Sequence, residues 1–173
     1  MTELFETFDE AGKPGGLVER SVVHAQGLWH RASHVWLFAA DGRLHVQRRA
    51  AHKDLYANLW DFSVGEHLQP GESFEDGAHR GLAEELGVTD AVLEPLGDER
   101  HMRLEMPDLG IKDFEVQRSF RAQYDGAITP DPDEVAEVRL VELDALQTWL
   151  ERAPEDFTPW FITDVFEVGI LVR

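Results

Sequence analysis

Three features of the sequence predict an α/β protein built on a mixed β-sheet with helices on both faces. An apolar stripe at helical spacing lies in mid-chain, segments of strand-like alternation flank it, and the two kinds mix without strict strand-helix-strand order. The 173 residues, 43% of them hydrophobic, suffice for one core, and no low-complexity run or flexible linker divides them. A single domain over residues 1–173 is therefore expected.

The elements follow in order. "AGKPGG" at 11–16 is a turn-rich spacer after a short first strand or extension. "HVWLFAADGRLHVQRR" places an Asp41-Gly42 turn between two apolar segments, the signature of a β-hairpin. Residues 52–72 carry turn residues and isolated aromatics, which predicts a long loop with a short strand near Asp61 to Gly65. Ser73 with Asp76 resembles a capping box, Phe74, Ala78, Leu82 and Leu86 form a stripe, and Gly87 supplies the stop, so a helix spans about 74–86. "AVLEPLG" reads as a short strand. In "KDFEVQRSFRAQY" the residues Phe114, Val116, Phe120, Ala122 and Tyr124 share one strand face, and Asp113, Glu115 and Gln117 the other. An Asp125-Gly126 turn, a strand "VAEVRLV", a helix "LDALQTWLER" begun near Asp144, and a last helix capped by Thr158 with Pro159 at its first position complete the chain.

The formal charge of −18 opposes a nucleic-acid polymer as partner, because such a footprint needs clustered Lys and Arg. A small phosphate compound remains possible where a divalent cation and a few local bases neutralise it. The absence of cysteine excludes disulfides, thiolate metal sites and thiol chemistry. The acidic start lacks a signal-peptide pattern and no apolar stretch approaches the ~18 residues that cross a bilayer, so a cytoplasmic protein with no membrane partner is expected. Nothing in the sequence fixes the oligomeric state.

The densest chemistry lies in "GEHLQPGESFEDGAHRGLAEELGV" at 65–88. Glu84 and Glu85 project opposite the apolar stripe, and the glycine- and proline-containing loop brings Glu72 to the helix start. These three carboxylates are candidates to surround one hard cation, Mg²⁺ or Mn²⁺, which polarises a phosphate and activates water; the alternative is a solvated acidic face with an Arg80–Glu84 pair. Arg49 and Lys53 stand beside them as candidate phosphate-binding cations, or as surface charges. His67 reads as a loop histidine or a ligand, Asp113 and Glu115 as site carboxylates or polar-out alternation, and Trp60 and Trp160 as core or as base-stacking rings. The acids of "TPDPDEVAEV" lack calcium-loop spacing and read as a rigid acidic loop.

At these residues the chain resembles a Nudix hydrolase, whose box is G-x5-E-x7-R-E-U-x-E-E-x-G-U with U a bulky apolar residue. Residues 66–88 keep its spacing, with Glu72, Arg80, Leu82, Glu84, Glu85, Gly87 and Val88 in place, while Glu66 stands for the first Gly and Gly81 for the Glu after Arg. The resemblance implies the Nudix α/β/α sandwich and metal-dependent cleavage of a diphosphate linkage. Glu72, Glu84, Glu85 and Glu115 are then expected as metal ligands, with Glu84, Glu85 and Glu115 in catalysis and Arg80 and Gly87 structural. Gly81 is expected to leave a gap for a water, a second cation or another phosphate pose.

"HRAS", "RRAAHKDLYANLW" and "SVGEH" are similar to the isopentenyl diphosphate isomerase-like branch. That likeness implies phosphate binding by Arg49 and Lys53, and metal-ligand positions at His67, His30, Asp113 and Glu115. A further histidine of that branch falls one residue out of register with His24, so an incomplete cage is expected. The essential thiol would stand at Gly65, and its absence turns the expectation from isomerase to pyrophosphohydrolase acting on nucleoside di- or triphosphates or nucleoside diphosphate derivatives. A non-catalytic nucleotide sensor and an isomerase are the alternatives.

Overall fold

The computed structural model describes residues 3–172; residues 1, 2 and 173 of the expected domain lie outside the described residues. Its first segment is more ordered than the sequence predicts. β1 (Leu4–Phe8) and β2 (Pro14–Glu19) form an antiparallel hairpin, followed by the seven-residue α1 (Arg20–Gln26), which ends at Gly27 in the left-handed region.

A seven-stranded mixed sheet follows. The predicted hairpin is β3 (His30–Phe38) and β4 (Leu44–Arg49), but its arms pair only at Phe38 and Leu44 and then diverge. β4 takes the two-residue β5 (Trp60–Asp61) and β9 (Val135–Val141) as antiparallel partners. β3 takes β6 (Val64–His67) antiparallel on one side and β8 (Ile111–Gln123) parallel on the other. β3 is thus central, and its near-continuous apolar run is buried on both faces, as a strand covered on both sides requires.

α2 (Phe74–Leu86) covers one face and packs Ala78, Leu82 and Leu86 against Val35, Leu37, Val64 and Phe120. The predicted capping box closes it: Asp76 N donates to Ser73 Oγ at 3.1 Å and Ser73 N to Asp76 Oδ2 at 3.3 Å. α3 (Leu143–Arg152) and α4 (Pro159–Glu167) cover the other face around Trp36, Phe62, Phe157 and Phe161. The layers are those of the expected α/β/α sandwich.

Two strand predictions are corrected. "AVLEPLG" opens a thirteen-residue strand, β7 (Glu94–Met106), which returns through Pro107–Leu109 into β8. In β8 the polar face turns inward first: Asp113, Glu115, Gln117 and Ser119 are buried, and only from Phe120 do apolar residues take over. The register explains this, since β8 runs parallel to β3 with His30 opposite Glu115, so these carboxylates face the beginning of the central strand.

Candidate functional site

Four elements converge where β3 begins. α1 contributes His24, β3 His30, β6 His67 and β8 Asp113, and their ligand atoms all lie within 4.8 Å of one another. Phe5 of β1 covers the group, its ring 5.0 Å from that of His30 and 4.7 Å from that of His67. Glu115 adjoins it, with His67 Nε2 3.1 Å from Glu115 Oε1 and Gln117 Nε2 donating to Oε2 at 2.7 Å.

The donor chemistry fits a divalent cation. His24 Nε2, His30 Nε2 and Asp113 Oδ1 are sealed from solvent and hydrogen-bonded to nothing among the described residues, a costly arrangement for polar atoms unless something else binds them. Burial and the neighbouring His67 and His30 push the His24 pKa down to about 3, and burial with His67 takes His30 to about 4. Both imidazoles are therefore neutral, so their 3.6 and 3.4 Å approaches to Asp113 are not ion pairs, and a lone pair is available on each ring. Burial and the Glu115 charge raise Asp113 to about 7. Burial works the same way on Glu115, but the hydrogen bond and charge of His67 outweigh it and hold that carboxyl low. His24, one residue out of register in the sequence, stands within 4.8 Å of the ligand atoms of His30, His67 and Asp113. Its place on α1 buries the His24 side chain toward the other three.

The carboxylates of the box on α2 do not gather as expected. Glu72 is held by Arg80, whose Nε donates to Oε1 at 2.7 Å and Nη2 to Oε2 at 2.9 Å. The same guanidinium reaches the His67 carbonyl at 2.9 Å, Glu66 at 3.1 Å and Glu84 at 3.2 Å, so Arg80 ties helix, loop and strand together. Glu84 is exposed, whereas Glu85 is buried and accepts from Gln47 Nε2 at 2.7 Å. Burial and the nearby Glu66 push Glu85 up to about 8. Gly87 caps α2 at φ 68°, and the acidic loop packs there, Thr129 N and Asp131 N donating to the Leu86 and Glu85 carbonyls.

Gly81 leaves no gap. A Cβ on it would lie 2.6 Å from Val64 Cγ1 and 3.2 Å from Glu66 Cβ, so the strand fills the space foreseen for water or a second cation. Val64 is the nearer obstacle, and Glu66, the other departure from the box, packs beside the same position.

Two adjoining cavities result, sharing Arg20, Arg49, Gly65, Glu66 and His67. The inner one is lined also by His24, Asp113, Glu115, His34 and Trp160, and the outer by Lys53, Glu84, Glu85 and Glu134. Lys53 pairs with Glu134. Arg49 is held by Asp61 at 3.4 Å, by the Leu55 carbonyl at 3.2 Å and over the Trp160 ring at 5.3 Å from its centroid. Trp160 in turn donates its Nε1 to the buried Asp61 at 2.8 Å. The structure thus brings Glu115, Asp113 and His67 together inside and Glu84, Glu85 and Lys53 outside, with Arg49 and Glu66 between them. Glu72, Arg80, Gly81 and Gly87 hold the frame. Sequence reasoning missed Arg20, His34 and Asp164; the alternation of His30, Ala32 and His34 along β3 is the signal that places His34 on the cage side.

The sequence profile of the NUDIX domain matches residues 28–161. An isopentenyl-diphosphate Delta-isomerase of Citrobacter koseri is 36% identical over 155 residues, 89% of this chain and 85% of that one. Its counterpart in Burkholderia multivorans is 31% identical over 172 residues, 99% of this chain and 96% of that one. Among solved structures, a Deinococcus radiodurans protein superposes with a TM-score of 0.68 at 21% identity, covering 86% of this chain and 89% of its own. A MutT protein of Methanosarcina mazei does so with a TM-score of 0.61 at 22% identity, covering 80% and 91%.

Proposed function

The chain belongs to the Nudix family, and on that premise we propose that it is a metal-dependent pyrophosphohydrolase, cleaving a diphosphate linkage in nucleoside di- or triphosphates or nucleoside diphosphate derivatives. The observation that carries the reading is at Gly65. A Cβ there would lie 2.3 Å from Phe62 Cε2, so the aromatic ring fills the place where a thiol would have to act, and the chain has no cysteine to put there. What remains beside that position is a set of groups that bind cations and phosphate and can take a proton from water.

A bound divalent cation supplies charge to the phosphate oxygens and acidifies water. Three imidazoles with carboxylate suit Mn²⁺ or another transition ion at the cage, whereas Glu84 and Glu85 suit Mg²⁺ accompanying the phosphates. Arg49, fixed from three sides, presents a preorganised guanidinium to a phosphate oxygen, and Lys53 joins it by exchanging Glu134 for substrate. Glu115, ionised and anchored by Gln117 and His67, takes the proton of the attacking water. Arg80 keeps β6 and α2 in register beneath these groups.

A second reading, turnover of isopentenyl diphosphate, is favoured by the likeness to isopentenyl-diphosphate Delta-isomerases over 89% and 99% of the chain. One panel decides between them. Nucleoside di- and triphosphates, a nucleoside diphosphate sugar and isopentenyl diphosphate are offered with Mg²⁺ and with Mn²⁺. Metal-dependent release of phosphate or pyrophosphate from nucleotides is the expected result, and conversion of isopentenyl diphosphate without hydrolysis would replace the hydrolase by the isomerase. Saturable nucleotide binding without turnover of any compound would leave a sensor.

A further inference from the structure

His34 is a buried, oriented imidazole that the reading above does not use. It stands on β3 directly opposite Gly65 in the antiparallel register with β6, and lines the inner cavity with Glu115, Arg49 and Trp160. Its Nδ1 lies 2.6 Å from Oδ2 of Asp164, a wholly buried residue of α4, and Arg100 Nη2 of β7 stands 2.9 Å from the other carboxylate oxygen. The Phe62 ring stacks on the imidazole at 4.2 Å between centroids and 27° between planes. The same ring closes the space at Gly65. The ring lines the inner cavity, and Nε2, the nitrogen not turned to Asp164, has no hydrogen-bond partner among the described residues.

This is an arrangement for moving a proton. A buried carboxylate on Nδ1 fixes ring orientation and keeps that nitrogen protonated, leaving Nε2 as the working atom. Asp164 also has Arg100 Nη2 2.9 Å from its other oxygen, so His34 is not its only countercharge. The charged and titratable groups around the ring are Asp164 of α4, Arg100 of β7 behind it, Asp113 and Glu115 of β8 and Asp61 of β5. Burial alone lowers the imidazole pKa, but the charge and hydrogen bond of Asp164 outweigh it and raise the net value, which favours the protonated ring.

We propose that His34, held by Asp164 as positioning residue, is the proton donor to the leaving oxygen when the diphosphate linkage is cleaved. The assignment rests on the hydrolase reading. Water forms its bond to phosphorus as the bridging P–O bond breaks; the proton of the water passes to Glu115 and the Nε2 proton of His34 to the departing phosphate oxygen, after which both groups re-equilibrate with solvent.

The test uses the full chain with Mn²⁺ and whichever nucleotide of the panel it hydrolyses. His34→Gln is expected to lower kcat about 100-fold, the usual scale for one acid-base group, with KM and Mn²⁺ binding unchanged, and to abolish the alkaline limb of the pH–kcat profile. Asp164→Asn, which keeps the packing, is expected to move that limb to lower pH by removing the charge that supports the imidazolium; this second variant serves if the first does not fold. Unaltered kcat and pH profile in a folded His34→Gln protein, or an unmoved limb in Asp164→Asn, would overturn the assignment alone. Absence of nucleotide hydrolysis by the unmodified protein would remove the hydrolase reading and this assignment with it.

Discussion

Replacing Gly81 by alanine sets two effects against each other. Alanine is better than glycine in a helix interior by ~1 kcal/mol, but its Cβ would press on Val64 Cγ1 at 2.6 Å in a packed contact, and overpacking costs about 1–3 kcal/mol. Packing wins, so Gly81→Ala is expected to lower stability by about 1 kcal/mol in urea unfolding, where helix propensity alone forecasts a gain. In a Val64→Ala background the same change is expected to stabilise. An equal effect in both backgrounds would mean that the contact does not govern this position. From the sequence Gly81 was legible only as a departure from a pattern; what it accommodates lies on another strand, and a pattern read along one helix does not contain it. Arg80 was more legible, because its spacing to Glu72 and Glu84 is set within one loop and one helix.

Among elements, α1 decides whether the cage is complete. Seven residues long and without a side-chain N-cap, it has too few turns to produce an apolar periodicity, which is why its sequence predicted no helix. It is fixed at its end by Gly27, at φ 69°, where a Cβ would lie 3.1 Å from Lys112 Cβ and from Phe114 Cε2. Gly27→Ala is therefore expected to shift α1 off β8, carry His24 with it and weaken Mn²⁺ binding roughly 10-fold, as changes behind metal ligands do; Mn²⁺ titration followed by electron paramagnetic resonance measures it, and unaltered affinity would show that α1 tolerates the shift. β7 escaped notice for another reason. It is an edge strand whose residues 98–105 are mostly charged or polar and exposed, so no apolar alternation marks it. The α2 stripe, by contrast, packs against a single sheet face, and its helix begins and ends where the capping residues predict.

For the whole molecule, the buried ionisable groups oppose one another across the pH range. Glu85 and Asp113 have folded pKa values raised by burial to about 8 and about 7. Their contribution is complete below their unfolded values and is lost as pH rises through 7 and 8. His24 and His30, lowered by burial to about 3 and about 4, contribute stability that is present above the unfolded histidine pKa and lost as pH falls through those values. With chelator present, the urea midpoint is expected to fall as pH rises from 6.5 to about 8, where Glu85 and Asp113, and with them the raised His34 and His67, still hold protons in the folded chain that the unfolded chain has lost. Saturating Mn²⁺ is expected to lift the midpoint and flatten that decline, because a dication favours ionised Asp113. A pH-independent midpoint in chelator would contradict the burial-driven shifts.

The parallel alignment of β3 with β8 has a kinetic side. His24 and Asp113 are separated by about ninety residues of chain, a long loop to close, and the non-local pairing of β3 with β8 is intrinsically slow. A fragment that lacks β8 therefore cannot hold the ion in the native manner, and capture of the cation during refolding times the arrival of β8 beside β3.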